Sequence, residues 1–345
     1  MKKMIKNSLL IFLCLLFLGI DNSFAGTDAA AFLKKSVGLK AIAMGGAFTS
    51  IADDTSAIYW NPAGLAQIQD NYSVYAMGTT GISDKYPGLK DVVPTHQFFA
   101  VSIPMQKWTD FLGKTVIGIG YISSKMDAQY TTSRAERLGT ISDNDSAYYL
   151  TAGFPLWQSN TSFYIGASLK YITKNMSNIG VSVGGLDIDV GVMYSIDALK
   201  YGMISFGAVL QKGVSMGDDS APVTAKFGVS NEIVFAERLQ LTGALDLVQR
   251  QKEPLVGNLG IEFGIIDILN LYSFGINGVF LRGGIEGYAI ENRYDISADY
   301  NETISYNFGL GIEFSILKTI LNLDIAMCSG NIFDQKTKFA LNFFF

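Results

Sequence analysis

Apolar and polar residues alternate along much of this chain with the two-residue period of a β-strand. From 163 to 171, the odd positions hold Phe, Ile, Ala, Leu and Tyr, whereas the even positions hold Tyr, Gly, Ser and Lys. The stretches 186–194 and 304–314 alternate in the same way, with mostly Asp, Ser, Asn, Glu or Gly on the second face. One face of each strand therefore suits lipid, and the other suits a polar interior.

The alternation predicts an all-β protein with fourteen strands. Most of them have the ~9–11 residues that a tilted membrane-spanning strand needs. We therefore predict a 14-stranded antiparallel transmembrane β-barrel, with twelve and sixteen strands as alternatives. The first strand is short, and the Gly-rich stretch 271–286 is too long for one regular strand. The predicted strands are 72–77, 95–104, 114–123, 146–155, 162–172, 184–195, 202–211, 222–231, 239–249, 256–264, 271–286, 303–314, 320–328 and 337–345.

The connections between these strands fall into two sets. Those after the first, third and eleventh strands are long and polar, at 78–94, 124–145 and 287–302. The other set is mostly short, as at 196–201, 232–238, 265–270 and 315–319. Long outer loops and short periplasmic turns are typical of bacterial outer-membrane barrels. The pattern therefore places both chain ends in the periplasm.

The last strand ends the chain on an aromatic residue. Its alternate positions are apolar, and the residues between them are Lys, Ala and Asn. Such a terminal strand is expected to act as a signal to the barrel assembly machinery as well as a strand. The predicted assembly signal is Phe339, Leu341, Phe343 and Phe345.

The N-terminus has the pattern of a secretory signal peptide. Basic residues precede an apolar stretch at 8–20, which is shorter than the ~20 residues of a spanning helix. Small residues at Ser23 and Ala25 favour cleavage after Ala25. We therefore predict that residues 1–25 export the chain to the outer membrane, where lipid surrounds it.

Composition narrows the class of protein further. The formal net charge is −5. Nucleic-acid binding of the usual kind needs a basic protein surface, so we expect no nucleic-acid partner. The mean hydropathy is +0.25, yet past residue 20 no apolar run has the length of a spanning helix. Cys328 is the only cysteine after the signal peptide, so no intrachain disulfide is expected. A soluble β-sandwich or propeller remains the alternative, although no 40–50-residue repeat supports a propeller.

Residues 26–70 do not alternate and are rich in small side chains. Asp53 or Asp54 is predicted to cap a short helix from Thr55, and Asn61-Pro62 is predicted to start a second helix. A barrel of this size is too wide for its own side chains to fill. We therefore predict a helical hatch at 26–70 in the lumen of a barrel at 71–345, with a turn at Gly45-Gly46 ahead of the helices.

The sequences GLKAIAMGGAF and ADDTSAIYWNPAGLA, within residues 37–66, resemble the N-terminal hatch of the FadL-like outer-membrane transporters, most closely the PorV/PorQ branch. The resemblance implies a channel for passive uptake of hydrophobic compounds such as long-chain fatty acids, gated by the hatch. The alternative is a type IX secretion component that binds exported protein cargo. The implied hatch and gating residues are Gly45, Gly46, Asp53, Asp54, Asn61, Pro62, Ala63 and Gly64.

For the remaining candidate residues, a structural role is a better explanation than a catalytic one. Gly118 and Gly120 share one face of the third strand and either make room for the hatch or mark a lateral opening. His96 is the only histidine, so a metal site or a catalytic triad has little support, and we expect neither an enzyme nor a cofactor. Inward carboxylates are expected to pair with inward cations; the residues concerned are Asp187, Asp189, Asp246, Glu262, Glu286, Glu313, Asp324, Lys170, Lys226 and Arg282. A porin for polar solutes is disfavoured by the hatch.

Overall fold

The computed structural model describes residues 31–79, 95–109, 112–131, 137–177, 180–198, 202–213, 215–216, 219–220, 222–251, 253–271, 273–289, 304–317, 319–329 and 337–345. The predicted signal peptide at 1–25 lies outside these ranges. So do residues 26–30 of the predicted hatch and most of the predicted loops at 78–94 and 287–302.

Fourteen antiparallel strands form one closed barrel, in which each strand pairs with its neighbours in sequence and the last pairs with the first. The predicted fold class is therefore confirmed. A small hairpin with two residues in each strand, Ser215–Met216 and Asp219–Ser220, lies in the connection between β7 and β8. The barrel strands are β1 Ser73–Thr79, β2 Thr95–Pro104, β3 Val116–Thr131, β4 Arg137–Gln158, β5 Thr161–Ser177, β6 Val181–Asp197, β7 Met203–Gln211, β8 Thr224–Phe235, β9 Leu239–Arg250, β10 Val256–Asn270, β11 Phe274–Ala289, β12 Ser305–Ile316, β13 Thr319–Ser329 and β14 Thr337–Phe344.

Several predicted boundaries were wrong, and the largest errors arise where the strands extend beyond the apolar alternation. Most of the predicted loop at 124–145 belongs to β3 and β4, which remain paired as far as Thr131 and Arg137. The predicted turn at 265–270 is the end of β10. The stretch 271–286 lies mostly in one 16-residue strand, β11, whose pairing with both neighbours is interrupted by register shifts. Backbone pairing needs no apolar face where both sides of a strand are polar, so alternation marks only the middle of such strands.

Large apolar side chains cover the outside of the barrel. Leu186 and Phe308 are 64% and 63% exposed, and both lie on the faces predicted to contact lipid. Asp189 of β6 and Asn307 of β12 lie on the opposite, inward face and are buried. Neighbouring strands keep this division because residues paired across the sheet share a face. The outer surface is therefore suited to hydrocarbon, as a transmembrane barrel requires.

Among the residues that the structure describes, helical structure consists of short pieces. Two α-helical turns, α1 (Leu39–Ala43) and α2 (Ala57–Trp60), precede β1. In the described ranges, 3₁₀ turns cover Ala31–Lys34, Pro62–Gln67 and Met105–Lys107. Nowhere in the described ranges does a helix combine the length and the apolar character needed to cross a bilayer.

The buried core lies inside the barrel and is built around residues 31–68, which we call the hatch segment. Its fully buried residues include Leu39, Phe48, Ile58 and Leu65. Helix α1 packs against β11, β12, β13 and β14, whereas the turn Pro62–Gln67 packs against β3, β4, β5 and β6. These two sets of strands form opposite sides of the barrel, so the hatch segment crosses the lumen from wall to wall.

The seam between β14 and β1 closes the barrel. The pairing runs from Ser73↔Phe344 to Thr79↔Lys338. One residue further, the N–H of Phe345 donates to the carbonyl of Tyr72 at 2.8 Å, and the N–H of Tyr72 donates to the carbonyl of Phe345 at 3.2 Å. The Phe345 ring stacks on Phe343, with ring centroids 6.3 Å apart. The backbone of Phe345 thus belongs to the seam, while its ring lies on the outer face.

We predict that Phe345→Ala and deletion of Phe345 separate the two roles of this residue. Alanine keeps both backbone hydrogen bonds, so this variant should refold in detergent like the unmodified protein but yield several-fold less folded barrel in cells. The deletion should impair both. Folded barrel is measured as the form that migrates faster on a gel before boiling. Normal membrane levels of Phe345→Ala would contradict a signal carried by the ring.

Candidate functional site

The hatch segment begins with helix α1 and reverses direction at two glycines. The N–H of Gly46 donates to the carbonyl of Ala41 at 2.9 Å, which closes the end of the helix. Gly45 and Gly46 have φ angles of +64° and +74°, a conformation that side chains disfavour. The turn predicted at Gly45-Gly46 is therefore present, although sequence reasoning missed the helix before it.

Asp53 and Asp54 do not cap a helix at Thr55, and that prediction was wrong. Helix α2 begins at Ala57, and Asp54 Oδ1 instead accepts a hydrogen bond from the N–H of Ser56 at 2.8 Å. This local side-chain bond forms a turn that competes with an earlier helix start. Asp53 pairs with Lys40 Nζ at 2.7 Å, which ties the turn to α1.

Burial and neighbouring charges shift the pKa values of Asp54 and Lys40 in the hatch segment. Burial, together with the neighbouring Asp53 carboxylate, raises the pKa of Asp54 to about 6, although hydrogen bonds from Ser56 oppose the shift. Burial would lower the pKa of Lys40, but the carboxylates of Asp53 and Glu262 outweigh it, and the pKa is raised. Lys40 therefore remains charged between two carboxylates, one in the hatch segment and one in the wall.

Asn61 and Pro62 start the second helical turn as predicted, although the turn is 3₁₀ rather than α-helical. Asn61 Oδ1 accepts from the N–H of Ala63 at 3.1 Å, and Pro62 occupies the first helical position. Asn61 Nδ2 also donates to the carbonyl of Thr49 at 2.8 Å and to that of Val192 in β6 at 3.2 Å. One side chain thus caps the turn, joins two parts of the hatch segment and binds the wall.

Glycines of the wall allow the hatch backbone to touch the strands. A Cβ added at Gly166 would lie 2.3 Å from the carbonyl carbon of Pro62, and one at Gly284 would lie 2.2 Å from the nitrogen of Gly45. Real Cβ atoms do not approach other atoms so closely, so any larger residue would push the hatch segment away. We define the glycine belt as the inward glycines at which an added Cβ would lie closer than 3.0 Å to a backbone or side-chain atom of the hatch segment: Gly118, Gly153, Gly166, Gly191, Gly207, Gly228, Gly260, Gly284 and Gly309.

Gly118 and Gly120, expected either to make room for the hatch or to mark a lateral opening, provide room for hatch side chains. A Cβ at Gly118 would lie 2.7 Å from Leu65 Cδ1, and one at Gly120 would lie 3.0 Å from Ile58 Cγ2. Pairing of β3 with β2 and β4 is continuous at both residues. The wall is closed here in this structure, and opening at this place stays a prediction.

Inward carboxylates hold the middle of the hatch segment. Asp246 Oδ2 accepts from the N–H groups of Phe48 and Thr49, at 3.1 and 2.9 Å. Arg282 pairs with Glu262 at 2.5 Å and also with Asp324. The expected pairing of lumen charges is therefore present for Arg282, whereas Asp246 binds backbone amides instead of a cation.

The other charged residues predicted to face the lumen also form two groups: some pair with an opposite charge, and others accept hydrogen bonds from uncharged groups. Lys170 pairs with Asp187 and Asp189, both at 2.8 Å. Glu286 accepts from Ser36 Oγ at 3.0 Å, and Glu313 accepts from Asn277 Nδ2 at 3.0 Å. Both carboxylates therefore take neutral donors where the sequence suggested cations.

Lys226 is the clearest departure from the expected ion pairs. Its Nζ lies 4.9 Å from the ring centroid of Trp60 and 5.1 Å from that of Tyr59, both in α2. Since the rings belong to the hatch segment and the lysine to β8, this cation–π contact joins the two. Strand alternation places Lys226 in the lumen, but its partner depends on a tertiary contact that the sequence does not indicate.

His96 faces the lumen from β2 and is 5% exposed. Among the residues that the structure describes, no group of three or more His, Cys, Asp or Glu side chains is arranged to hold a metal ion. The expectations of no metal, no cofactor and no catalysis stay predictions.

A cavity of about 60 Å³ lies between the hatch segment and the wall. Tyr59 lines it from the hatch segment, and Tyr149 of β4 lines it from the wall. Gln211 and Thr224, at the ends of β7 and β8, border it near the connection between these strands. Its charged lining residues are Lys34, Lys170, Asp187, Lys212, Lys226 and Arg250.

Comparison with known proteins gives a fold and no closer relationship. No protein family profile matches the chain, and no curated protein sequence matches it. The toluene transporter TodX of Pseudomonas putida superimposes with a TM-score of 0.56 at 11% identity, over 90% of this chain and 98% of TodX. The toluene transporter TbuX of Ralstonia pickettii gives 0.52 at 11%, over 90% and 98%. A FadL homologue of Pseudomonas aeruginosa gives 0.52 at 9%, over 93% and 98%. At these identities the chain shares a fold with these proteins.

We predict that Gly166→Ala displaces the hatch segment without disrupting the barrel. The added methyl group would meet the backbone of Pro62 and Ala63, so the ion current through a planar bilayer should rise several-fold. Gly243→Ala is the matched control because a Cβ at Gly243 meets nothing within 4 Å. Equal currents for both variants, each shown to be folded by its gel mobility, would mean that the hatch segment does not need this close contact.

Proposed function

We propose that this protein is an outer-membrane channel for passive uptake of small hydrophobic compounds, and that the hatch segment gates it. The main observation in support is that the lumen of a closed barrel is filled by a separate segment in contact with walls on opposite sides. A passive channel with this architecture needs no energy source. It needs only a rearrangement of the hatch segment, which obstructs the lumen.

The contents of the lumen favour hydrophobic substrates over polar ones. A porin has a water-filled interior, whereas Leu39, Phe48, Ile58 and Leu65 lie fully buried in this one. A hydrophobic compound that enters among such side chains exchanges one apolar contact for another. A hydrated polar solute would lose its water without replacement.

The hatch segment is suited to move because its helices are short. Isolated helices of one or two turns are unstable in water, so contacts with the wall hold α1 and α2 in place. Asn61 and the turn at Gly45-Gly46 make such contacts, and we assign gating to the residues around them: Gly45, Gly46, Asp53, Asp54, Asn61, Pro62, Ala63 and Gly64. Exit into the membrane beside Gly118 and Gly120 is part of the same proposal.

The proposal includes the route of the protein to the membrane. We propose that residues 1–25 direct export and are removed, that residues 26–70 form the hatch and residues 71–345 the barrel, and that the terminal strand engages the barrel assembly machinery. The apolar outer surface supports a final location in lipid, and an outer membrane is where exported barrels reside.

A role in type IX protein secretion, with exported protein as the partner, is the second candidate. It is favoured by the sequence resemblance of residues 37–66 to the PorV/PorQ branch. Genes for that secretion system, and cargo with matching C-terminal domains, in the same organism would support it.

We predict that deletion of residues 27–66 converts a nearly closed protein into an open pore. The deletion variant should carry a large, steady ion current in a planar bilayer, whereas the full-length protein should carry almost none. The full-length protein should also bind toluene or oleate, measured by quenching of tryptophan fluorescence in detergent. Equal currents for the two proteins would show that residues 27–66 do not obstruct the lumen, and the proposal would fail.

A further inference from the structure

Four neighbouring strands, β3 to β6, arrange their outward residues in rows that run across the sheet. In one such row Ile119 pairs with Leu150, and Leu150 pairs with Leu169. All three side chains are 45–55% exposed. This row is aliphatic, as contact with the hydrocarbon of a bilayer requires.

The next row towards the outer end of the barrel consists of tyrosines, and we call it the tyrosine row. Tyr121 pairs with Tyr148, and Tyr148 pairs with Tyr171. The hydroxyl group of Tyr121 lies 3.4 Å from Ser146 Oγ, and that of Tyr171 would lie 3.0 Å from a Cβ added at Gly184. Ser146 and Gly184 belong to the following row, so both hydroxyl groups point away from the aliphatic row. Amphipathic rings adopt this orientation at a membrane interface.

A second aromatic row lies at the other end of the same strands. Trp157 pairs with Phe163 and their ring centroids are 4.7 Å apart, and Phe163 pairs with Tyr194. With a rise of about 3.3 Å per residue and a tilt of about 40°, Tyr148 and Trp157 are roughly 23 Å apart along the barrel axis. An apolar band of ~25 Å between two aromatic girdles is typical of outer-membrane barrels. The two rows therefore mark where the bilayer meets these strands.

The outward face becomes polar directly beyond the tyrosine row. At the same rise and tilt, the next two rows lie about 5 and 10 Å further out. The head-group region of one leaflet is about 5–8 Å thick, so the first of these rows lies within it. We call the two rows the polar face: Ser123, Ser146 and Thr173 in the first row, and Lys125, Asn144 and Asn175 in the second.

The polar face lies at the outer end of the barrel. The chain ends, which are expected in the periplasm, lie at the end where β1 begins at Ser73. There β4 stops at Gln158, directly after Trp157, whereas at the opposite end β4 begins at Arg137, far beyond Tyr148. The sheet of β3 to β6 thus extends past the bilayer on the outer side, where lipopolysaccharide forms the leaflet of a Gram-negative outer membrane. The head group of that lipid is an oligosaccharide.

We propose that the polar face binds the saccharide head groups of outer-leaflet lipopolysaccharide. It is continuous with the aliphatic row and the tyrosine row, which suit the acyl chains of the same lipid molecules. Hydroxyl and amide side chains donate and accept hydrogen bonds, as sugar hydroxyl groups do. Lys125, which is exposed, adds a positive charge for the phosphate groups of the lipid. This inference goes beyond uptake and rests only on the proposed outer-membrane location.

The test is binding of rough-type lipopolysaccharide to the purified full-length protein, immobilised in detergent and followed by surface plasmon resonance. The triple variant Ser123→Ala, Ser146→Ala, Thr173→Val removes the hydroxyl groups of the first polar row with little change in volume. It should bind lipopolysaccharide about tenfold more weakly, as the loss of three modest hydrogen bonds implies. Thr161→Val is the matched control, since Thr161 begins β5 at the periplasmic end, on the same outward face as Phe163.

Two further probes identify what the polar face recognises. Phosphatidylglycerol, which is anionic but has no oligosaccharide, should bind at least tenfold more weakly than lipopolysaccharide. Soluble core oligosaccharide should compete with lipopolysaccharide for the protein.

Three results would each refute the inference: equal binding of the two lipids, no competition by the oligosaccharide, or a triple variant that is folded by gel mobility and binds like Thr161→Val. None of these results would affect the proposed uptake of hydrophobic compounds. Recovery of the protein from the inner membrane of cells would overturn the proposed location and this inference together.

Discussion

The close contact between the backbone of the hatch segment and the barrel wall is the constraint on which the rest of this structure depends. Fourteen strands enclose a lumen that their own side chains do not fill. The glycine belt removes side chains from the wall where the hatch segment approaches it, as at Gly166 and Gly284. The wall therefore accepts a folded segment of backbone, and the segment takes its shape from the wall.

Such close packing buries polar backbone groups, and the protein satisfies them with a few side chains. Asp246 accepts from two hatch amides, Asn61 donates to carbonyls on both sides, and Gln67 Nε2 donates to the carbonyls of Ile51 and Ala52 at 2.8 and 3.1 Å. A hydrogen bond between neutral groups contributes only about 0.5–1.5 kcal/mol net, and one to a carboxylate such as Asp246 contributes about 1.5–3 kcal/mol. The hatch segment is thus held by many modest contacts, which is compatible with both a closed resting state and displacement.

The alternation of apolar and polar residues was sufficient to predict the barrel, but it did not predict where the strands end or how the wall contacts the hatch segment. Leu186 and Phe308 revealed the outward face because lipid selects apolar residues at every second position. The two strands of the β3–β4 hairpin were predicted, but their extension into 124–145 was missed because the polar residues there do not alternate, although the backbone remains paired. Asn61-Pro62 revealed a helix start because capping is local. The partner of Lys226 and most contacts of the glycine belt are tertiary, so the sequence suggested room for the hatch only at Gly118 and Gly120 and not at the other inward glycines.

A reversible covalent link between the hatch segment and the wall tests the central claim most directly. Ile58 and Gly120 are suitable positions, because a Cβ at 120 would lie 3.0 Å from Ile58 Cγ2. The double variant Ile58→Cys with Gly120→Cys would be made with Cys328 replaced by Ser. Uptake of radiolabelled toluene by cells should fall to background when the disulfide forms and return after reduction, while each single cysteine variant stays unaffected by either treatment. Uptake at the normal rate by fully cross-linked protein would contradict gating by the hatch segment.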